Sequence, residues 1–235
     1  MVEIETALKK EEHPEVEDKK EEREGKWKKV LSIILTVLFI LFMIIGSGLI
    51  FVDTYYMKIY VSGTSMYPTL ENQEFGLVDN HKKAIDKIKR GDIIVFKHYT
   101  SDGFEHYIKR VIALPNEGIN FIEGGVNAED TVQIRPVDSE EYVTLDEAYL
   151  TSDAKQNTAK GNLASYPKNL DEFEYFVMGD NRANSSDSRV DDVGLIKRED
   201  IVGVLVLITG HVDEILEDGK YKGKHYYLLW DMRRY

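Results

Sequence analysis

Two segments of this chain carry residue types that could do nucleophilic chemistry. Val61-Ser62-Gly63-Thr64-Ser65-Met66-Tyr67-Pro68-Thr69 places a serine in a turn framed by glycine and proline. Tyr107-Ile108-Lys109-Arg110-Val111-Ile112 places a lysine inside an apolar run. A serine hydroxyl is a poor nucleophile until a base takes its proton. Lysine can be that base only as the neutral amine, and with a pKa of about 10.4 a free lysine is neutral in only roughly 0.04% of molecules at pH 7. Burial lowers a lysine pKa by up to several units. Ile108, Val111 and Ile112 beside Lys109 in a strand supply such surroundings if the side chain turns inward; the alternative is a surface lysine on an edge strand. The chemistry in view is hydrolysis by a serine with a lysine base.

A third segment, Met178-Gly179-Asp180-Asn181-Arg182-Ala183-Asn184-Ser185-Ser186-Asp187-Ser188-Arg189, is a dense polar run after an apolar strand. Alone it reads as an Asx-rich loop, and its acidic spacing does not match an EF-hand calcium loop. His106, three residues before Lys109, invites a Ser–His reading, but odd spacing in a strand puts it on the opposite face. His81, His98, His211 and His225 have no metal-ligand spacing.

The elements that must position these groups begin with one apolar run. No charged residue occurs between Lys29 and Asp53, so residues 30–52 form one uninterrupted apolar stretch. As a helix it reaches roughly 34 Å, enough to cross a hydrocarbon core of about 30 Å. No face of it is polar, which argues against a core helix. It is longer than the core of a cleaved signal sequence, although Gly46-Ser47-Gly48 offers small residues of the cleavage-site type. An uncleaved transmembrane anchor is the expectation. Lys19, Lys20, Arg23, Lys26, Lys28 and Lys29 precede it, whereas only Lys58 appears in the stretch that follows, up to residue 72. This predicts a cytoplasmic N-terminus and an extracytoplasmic C-terminal part. Trp27 and Tyr55-Tyr56 suit the two interfaces. Residues 1–29 carry ten Asp/Glu and eight Lys/Arg with little to bury, and read as disordered or a loose solvated helix.

From Asp53 to the C-terminus, 53–235, the pattern is strand-like. Apolar runs around Met57–Tyr60, at 93–96, 107–114, 173–178 and 201–208 are separated by Gly/Asn/Asp/Pro clusters. The expected fold class is mainly β: an antiparallel β-sheet catalytic domain with a polar, irregular insertion at about 120–172, preceded by one transmembrane α-helix. Short helices are expected near 145–150 and 197–200. Tyr226-Tyr227-Leu228-Leu229-Trp230 reads as a closing strand or a lipid contact.

Composition narrows the function. A hydrophobic fraction of 43% with 31% charged residues is ordinary for a folded protein. The net charge of −12 gives a nucleic-acid role no electrostatic support. With no cysteine, a thiol nucleophile, a disulfide framework and a thiolate metal site are excluded.

Together the anchor, the serine turn, Arg90-Gly91-Asp92-Ile93-Ile94-Val95-Phe96, the lysine strand through Ala113-Leu114-Pro115 and the Gly179–Arg189 run resemble the type I signal peptidase family, in its Gram-positive form with one N-terminal anchor. The resemblance implies a membrane-bound serine endopeptidase using a Ser–Lys dyad. It would cleave signal peptides from exported preproteins after small residues of the Ala-X-Ala type. Ser65 matches the nucleophile and Lys109 the general base. Ser185 matches the hydroxyl that orients the lysine, and Asp187 and Arg189 match a structural ion pair. Gly179, Asp180, Asn181 and Arg182 match the scaffold of that loop. Val61, Met66, Leu70 and Ile108 fall where the family's shallow substrate pockets lie. Ser65 N–H would contribute to the oxyanion hole. Where some relatives carry a second, hydroxyl donor this chain has Gly63, leaving Ser62 and Thr64 as alternatives. The chain also has Asn116-Glu117 where the family often has Gly-Asp, and Ala183 where it usually has Asp. The resemblance implies no metal or cofactor. The implied partners are preprotein signal peptides, membrane lipid and the secretion translocon, with the enzyme in the cell membrane. Rival readings are a self-cleaving Ser–Lys repressor relative, which would carry a DNA-binding domain in place of the anchor, and a non-catalytic signal-peptide binder or pilus-assembly helper, which would lack the serine or lysine.

Overall fold

A computed structural model of the chain describes residues 14–125, 128–159, 165–217 and 220–231. It divides into two units, Met1–Tyr55 and Tyr56–Tyr235. In the first, the apolar run lies inside a longer helix, α1 (Pro14–Tyr55). Helix therefore extends well back into the expected charged tail, whose residues 1–13 lie outside the described ones. Pro14 suits a first helical position, and the Glu, Lys and Arg that follow are good helix formers. They also offer i,i+4 pairs such as Glu22–Lys26, at 2.7 Å. Through the apolar run the large side chains are exposed all round. The hydroxyls of Thr36, Ser47 and Thr54 donate to the carbonyls of Ser32, Ile44 and Ile50 at 2.8–2.9 Å, so these polar atoms are satisfied within the helix itself. Length and composition qualify α1 to cross a membrane.

The second unit is built from antiparallel strands. They are β1 (Met57–Tyr60), β2 (Glu74–Asp79), β3 (Ile93–Thr100), β4 (Gly103–Ala113), β5 (Gly118–Ile122), β6 (Thr131–Arg135), β7 (Val143–Thr144), β8 (Lys168–Asn169), β9 (Glu174–Met178), β10 (Ile196–Lys197), β11 (Ile201–Glu217) and β12 (Lys220–Asp231). The larger sheet runs β1-β2-β11-β3-β4-β9-β10, with β12 also on β11. The expected closing segment thus lies in a strand. A smaller sheet, β7-β6-β5-β8, occupies much of the segment read from sequence as an irregular insertion. Its two-residue strands are too short to reveal an alternating pattern. Two single-turn helices, α2 (Lys82–Ile85) and α3 (Ser152–Lys155), complete the unit, with a 3-10 turn at Arg198–Asp200. The latter falls within the expected 197–200, whereas 145–150 is not helical and the nearby turn of helix starts at Ser152, capped by Thr151 Oγ1.

The continuous apolar runs of β3 and β4 are explained by burial on both faces. Ile93 and Val95 join Val61, Met66, Leu70, Val78, Leu205 and Ile208 in one cluster, while Ile94 and Phe96 face another with Val111, Val177 and Ile201. Ile112, one residue along from Val111, turns into the core shared with Ile119, Phe121, Val132 and Ile134 of the small sheet. Where the family often has glycine, Asn116 adopts a φ of 64°, a left-handed conformation that asparagine tolerates. Glu117 beside it accepts from Leu114 N–H at 2.7 Å and pairs with Arg90 at 2.6 Å, as a turn-closing acid should.

Candidate active site

The serine turn continues the β1–β2 ladder. Val61 N–H donates to Glu74 O, and Gln73 N–H returns to Val61 O, each at 2.8 Å. The chain then reverses at Gly63, whose φ of 96° favours glycine. Gly63 N–H donates to Asn72 Oδ1 at 2.8 Å. Two local bonds, Tyr67 N–H to Thr64 O and Leu70 N–H to Met66 O, coil the following residues and drive Met66 and Leu70 into the core.

The Gly179–Arg189 loop grips this turn from the other side. Asn181 N–H donates to Ser65 O at 3.0 Å, and Asn181 Nδ2 donates to Thr64 O at 3.1 Å. Thr69 Oγ1 donates to Asp180, whose carboxylate also takes two prongs of Arg110 at 2.6 and 2.9 Å. Arg110 belongs to β4, so one buried ion pair ties the serine turn, the lysine strand and the loop together. Gly179 sits where these pieces meet. A Cβ there would overlap the Ser65 carbonyl oxygen and the Ser185 side chain. Gly179→Ala is therefore expected to lower turnover by at least tenfold and to lower the melting temperature, measured by peptide cleavage and thermal unfolding.

Lys109 is 4% exposed. Its Nζ lies 2.8 Å from Ser65 Oγ and 3.0 Å from Ile108 O, the latter accepting one of its protons. Its pKa is lowered from 10.5 to about 8, chiefly by burial; Asp187 and Asp180 pull it upward and Arg189 pulls it down. The two carboxylates are themselves held by arginines. Asp187 takes both prongs of Arg189 at 2.8 Å and accepts from Gly179 N–H at 3.0 Å. Burial opposes charge on Asp187, but Arg189 outweighs it, and the carboxyl is held below its ordinary value. With each nearby acid so paired, neither becomes a full counter-ion for Lys109, and desolvation prevails.

The structure thus brings Ser65, Lys109, Asp187 and Arg189 into one site. Ser185 lies there too, but its buried Oγ makes no well-formed hydrogen bond among the described residues, although it is near enough to Asp187 to help keep that carboxyl ionised. The contact to Lys109 implied by resemblance is not made; the Ile108 carbonyl holds the amine instead. A cleft of about 430 Å³ opens over the pair, walled by residues 59–65 and 105–109. Val61 and Ile108 line it. Met66 and Leu70, expected there, are 1% and 0% exposed within the core beneath. His106 lines the same cleft with its ring edge-on to Phe104, and makes no hydrogen bond to Ser65. Among the described residues no group of three or more His, Asp or Glu is placed to hold a metal ion.

Sequence reasoning missed the Asn181 clasp, the Arg110–Asp180 brace and a second buried pair, Arg182–Glu147. Glu147 comes from the polar insertion, and Tyr149 Oη donates to it at 2.7 Å. Arg182 also donates to Thr158 Oγ1 at 2.8 Å and to Gly179 O at 3.2 Å. Thirty-five positions separate Glu147 from Arg182, and no local spacing could signal their pairing.

Comparison with known proteins gives consistent matches. The family described as Signal peptidase, peptidase S26 matches residues 30–209. Signal peptidase I of Bacillus amyloliquefaciens is 38% identical over 146 residues, covering 61% of this chain and 68% of that protein. Signal peptidase I P of Bacillus subtilis subsp. natto is 33% identical over 196 residues, covering 80% of this chain and 90% of that protein. Among solved structures, a signal peptidase I from Enterococcus faecalis V583 is 32% identical, covers 51% of this chain and 97% of its own, and superposes with a TM-score of 0.35.

Proposed function

The chain belongs to the S26 signal peptidase family, serine peptidases that remove signal peptides from preproteins at a membrane, and from that premise we propose that it does so with Ser65 as nucleophile and neutral Lys109 as general base. The observation that carries this reading is the 2.8 Å approach of Lys109 Nζ to Ser65 Oγ in a lysine screened from water. At pH 7 an amine with a pKa of about 8 is neutral in roughly a tenth of molecules, hundreds of times the fraction of a free lysine.

In this scheme Lys109 accepts the Ser65 proton as Oγ bonds to the scissile carbonyl carbon. Ser65 N–H, which has no hydrogen bond among the described residues, stabilises the oxyanion. Gly63 N–H is engaged by Asn72, so it is not the second donor in this arrangement. The Lys109 ammonium then protonates the leaving nitrogen as the C–N bond breaks. A water that gives its proton to the same amine hydrolyses the Ser65 ester, restoring both groups. Substrate lies extended in the cleft. Val61 and Ile108 narrow the walls near the serine, which favours small side chains of the Ala-X-Ala type. The excess of Lys and Arg before residue 30 favours a cytoplasmic N-terminus and an extracytoplasmic catalytic unit.

The test is cleavage of a preprotein by the full chain in liposomes across pH 6–10. Wild type should release the mature protein and Ser65→Ala should not. Because the deprotonated amine is the active form, kcat/KM should rise about tenfold per pH unit below about 8 and level off above it. A profile flat from pH 6 to 9 would rule out Lys109 as the base.

A further inference from the structure

The cleft continues past the reacting pair to a charge that the cleavage chemistry does not use. β4 pairs with β3 along Gly103–Arg110, but gains its second neighbour, β9, only from Arg110 onward. The other edge of residues 103–109 is unpaired among the described residues. β1, at the end of the sheet order, pairs only with β2 among the described residues. Both segments wall the same cleft, so an extended peptide laid there can bond along two strand edges. Residues 105, 107 and 109 project to one face of β4. Glu105 lies four residues before Lys109, about 13 Å along the strand.

Glu105 is exposed and contributes the only carboxylate to this lining. Its carboxylate makes no ion pair or hydrogen bond among the described residues. The lysine of the neighbouring strand, Lys97, is paired in register with His106 and sits over the Phe104 ring, 5.1 Å from its centroid. Direction follows from the chemistry. Attack by Ser65 leaves the acyl half of the substrate bonded to the enzyme until water arrives, so a long groove ending at Ser65 serves that half; the amine half must leave.

We infer that Glu105 is a specificity-determining residue that selects a basic side chain four or five residues before the cut. This rests on the signal-peptidase reading of the cleft and adds a charge preference to it. A contact near the surface changes kcat/KM by about twofold to fivefold for each charge. The net charge of −12 also draws basic peptides to the whole molecule, but that long-range effect survives loss of one carboxylate whereas a local contact does not.

The experiment uses the full chain in detergent and peptides with one Ala-X-Ala cut site, carrying Lys or Glu at the fourth or fifth residue before the cut. For wild type, the Lys-to-Glu ratio of kcat/KM should reach about 4 to 25 at one of these positions. Glu105→Gln should bring that ratio below about 3, and Glu105→Lys should invert it, with melting temperatures unchanged for this exposed site. A wild-type ratio near 1 at both positions, or a ratio that persists in Glu105→Gln, overturns the inference. If wild type cuts neither these peptides nor a preprotein, the signal-peptidase reading itself fails and takes this inference with it.

Discussion

Lys109→Met is expected to reduce signal-peptide cleavage at least about a hundredfold while leaving the protein, at pH 7, as stable as wild type, or more so. The rate effect follows from removing the one group among the described residues placed to take the Ser65 proton; general bases contribute about 10²–10⁴-fold. The stability effect comes from the same burial that makes the lysine useful. A pKa of 10.5 unfolded and about 8 folded means that the unfolded chain binds the proton more tightly. Folding therefore works against an ammonium below pH 8 by about 3 kcal/mol, and stability rises with pH between about 8 and 10.5. Methionine fills a similar volume without charge. It forfeits the contacts to Ile108 O and Ser65 Oγ, about 1 kcal/mol each, so the net gain at pH 7 is about 1 kcal/mol and the melting temperature rises by a few degrees. The gain should be gone near pH 10, where the wild-type amine is mostly neutral and the variant, short of two contacts, becomes slightly the less stable of the two. Thermal unfolding at pH 7 and pH 10, beside turnover, separates this from misfolding: an inactive variant that also melts well below wild type would mean that Lys109 holds the fold together rather than serving as base.

What made this site legible in the sequence is that its reacting groups sit in short motifs with a chemical rationale. A serine beside Gly63 and Pro68, and a lysine between apolar neighbours, needed no tertiary knowledge. The long strands were legible for the same reason, since 93–96 and 107–114 are too apolar to be anything but buried. Features set by distant pairings were not. β11 inserts between β2 and β3, more than a hundred positions away, and nothing in its sequence names its neighbours. Met66 and Leu70 have the right chemistry for a substrate pocket, but the Met66 O to Leu70 N bond turns both inward, a fact of backbone coiling that residue type does not carry. The carbonyl that positions Lys109 is invisible for a related reason: every residue has one, and only geometry selects Ile108. Ser185 shows the converse, a recognisable side chain whose contact with Lys109 is absent from this structure.

The second large effect concerns the pair that keeps the lysine from finding a counter-ion. Asp187 is fully buried and Arg189 nearly so, joined by two 2.8 Å hydrogen bonds. Asp187→Asn leaves the Arg189 guanidinium charged, buried and held by one prong, with the Asn157 and Thr158 carbonyls its other near acceptors. Breaking such a pair from one side costs about 3–5 kcal/mol. Replacing both partners by apolar residues, as in Asp187→Leu with Arg189→Met, should recover most of that loss, because two desolvation penalties go with the charges. Acid adds an independent signature. The folded pKa of Asp187 lies below its ordinary value, so its contribution is present above the unfolded pKa of about 3.8 and is lost as pH falls through the lower folded value. Wild type should therefore lose more stability than Asp187→Asn as pH drops below 4, and the two should converge. Urea denaturation at pH 7 and pH 3 measures both. A penalty under about 1 kcal/mol at pH 7 would mean that water reaches Arg189 and that the pair is not the closed brace its geometry describes. The same brace bears on catalysis, since an Asp187 released from Arg189 would draw the Lys109 proton. Arg189→Met is then expected to raise the Lys109 pKa and shift the pH–rate profile upward, a displacement that simple destabilisation does not produce.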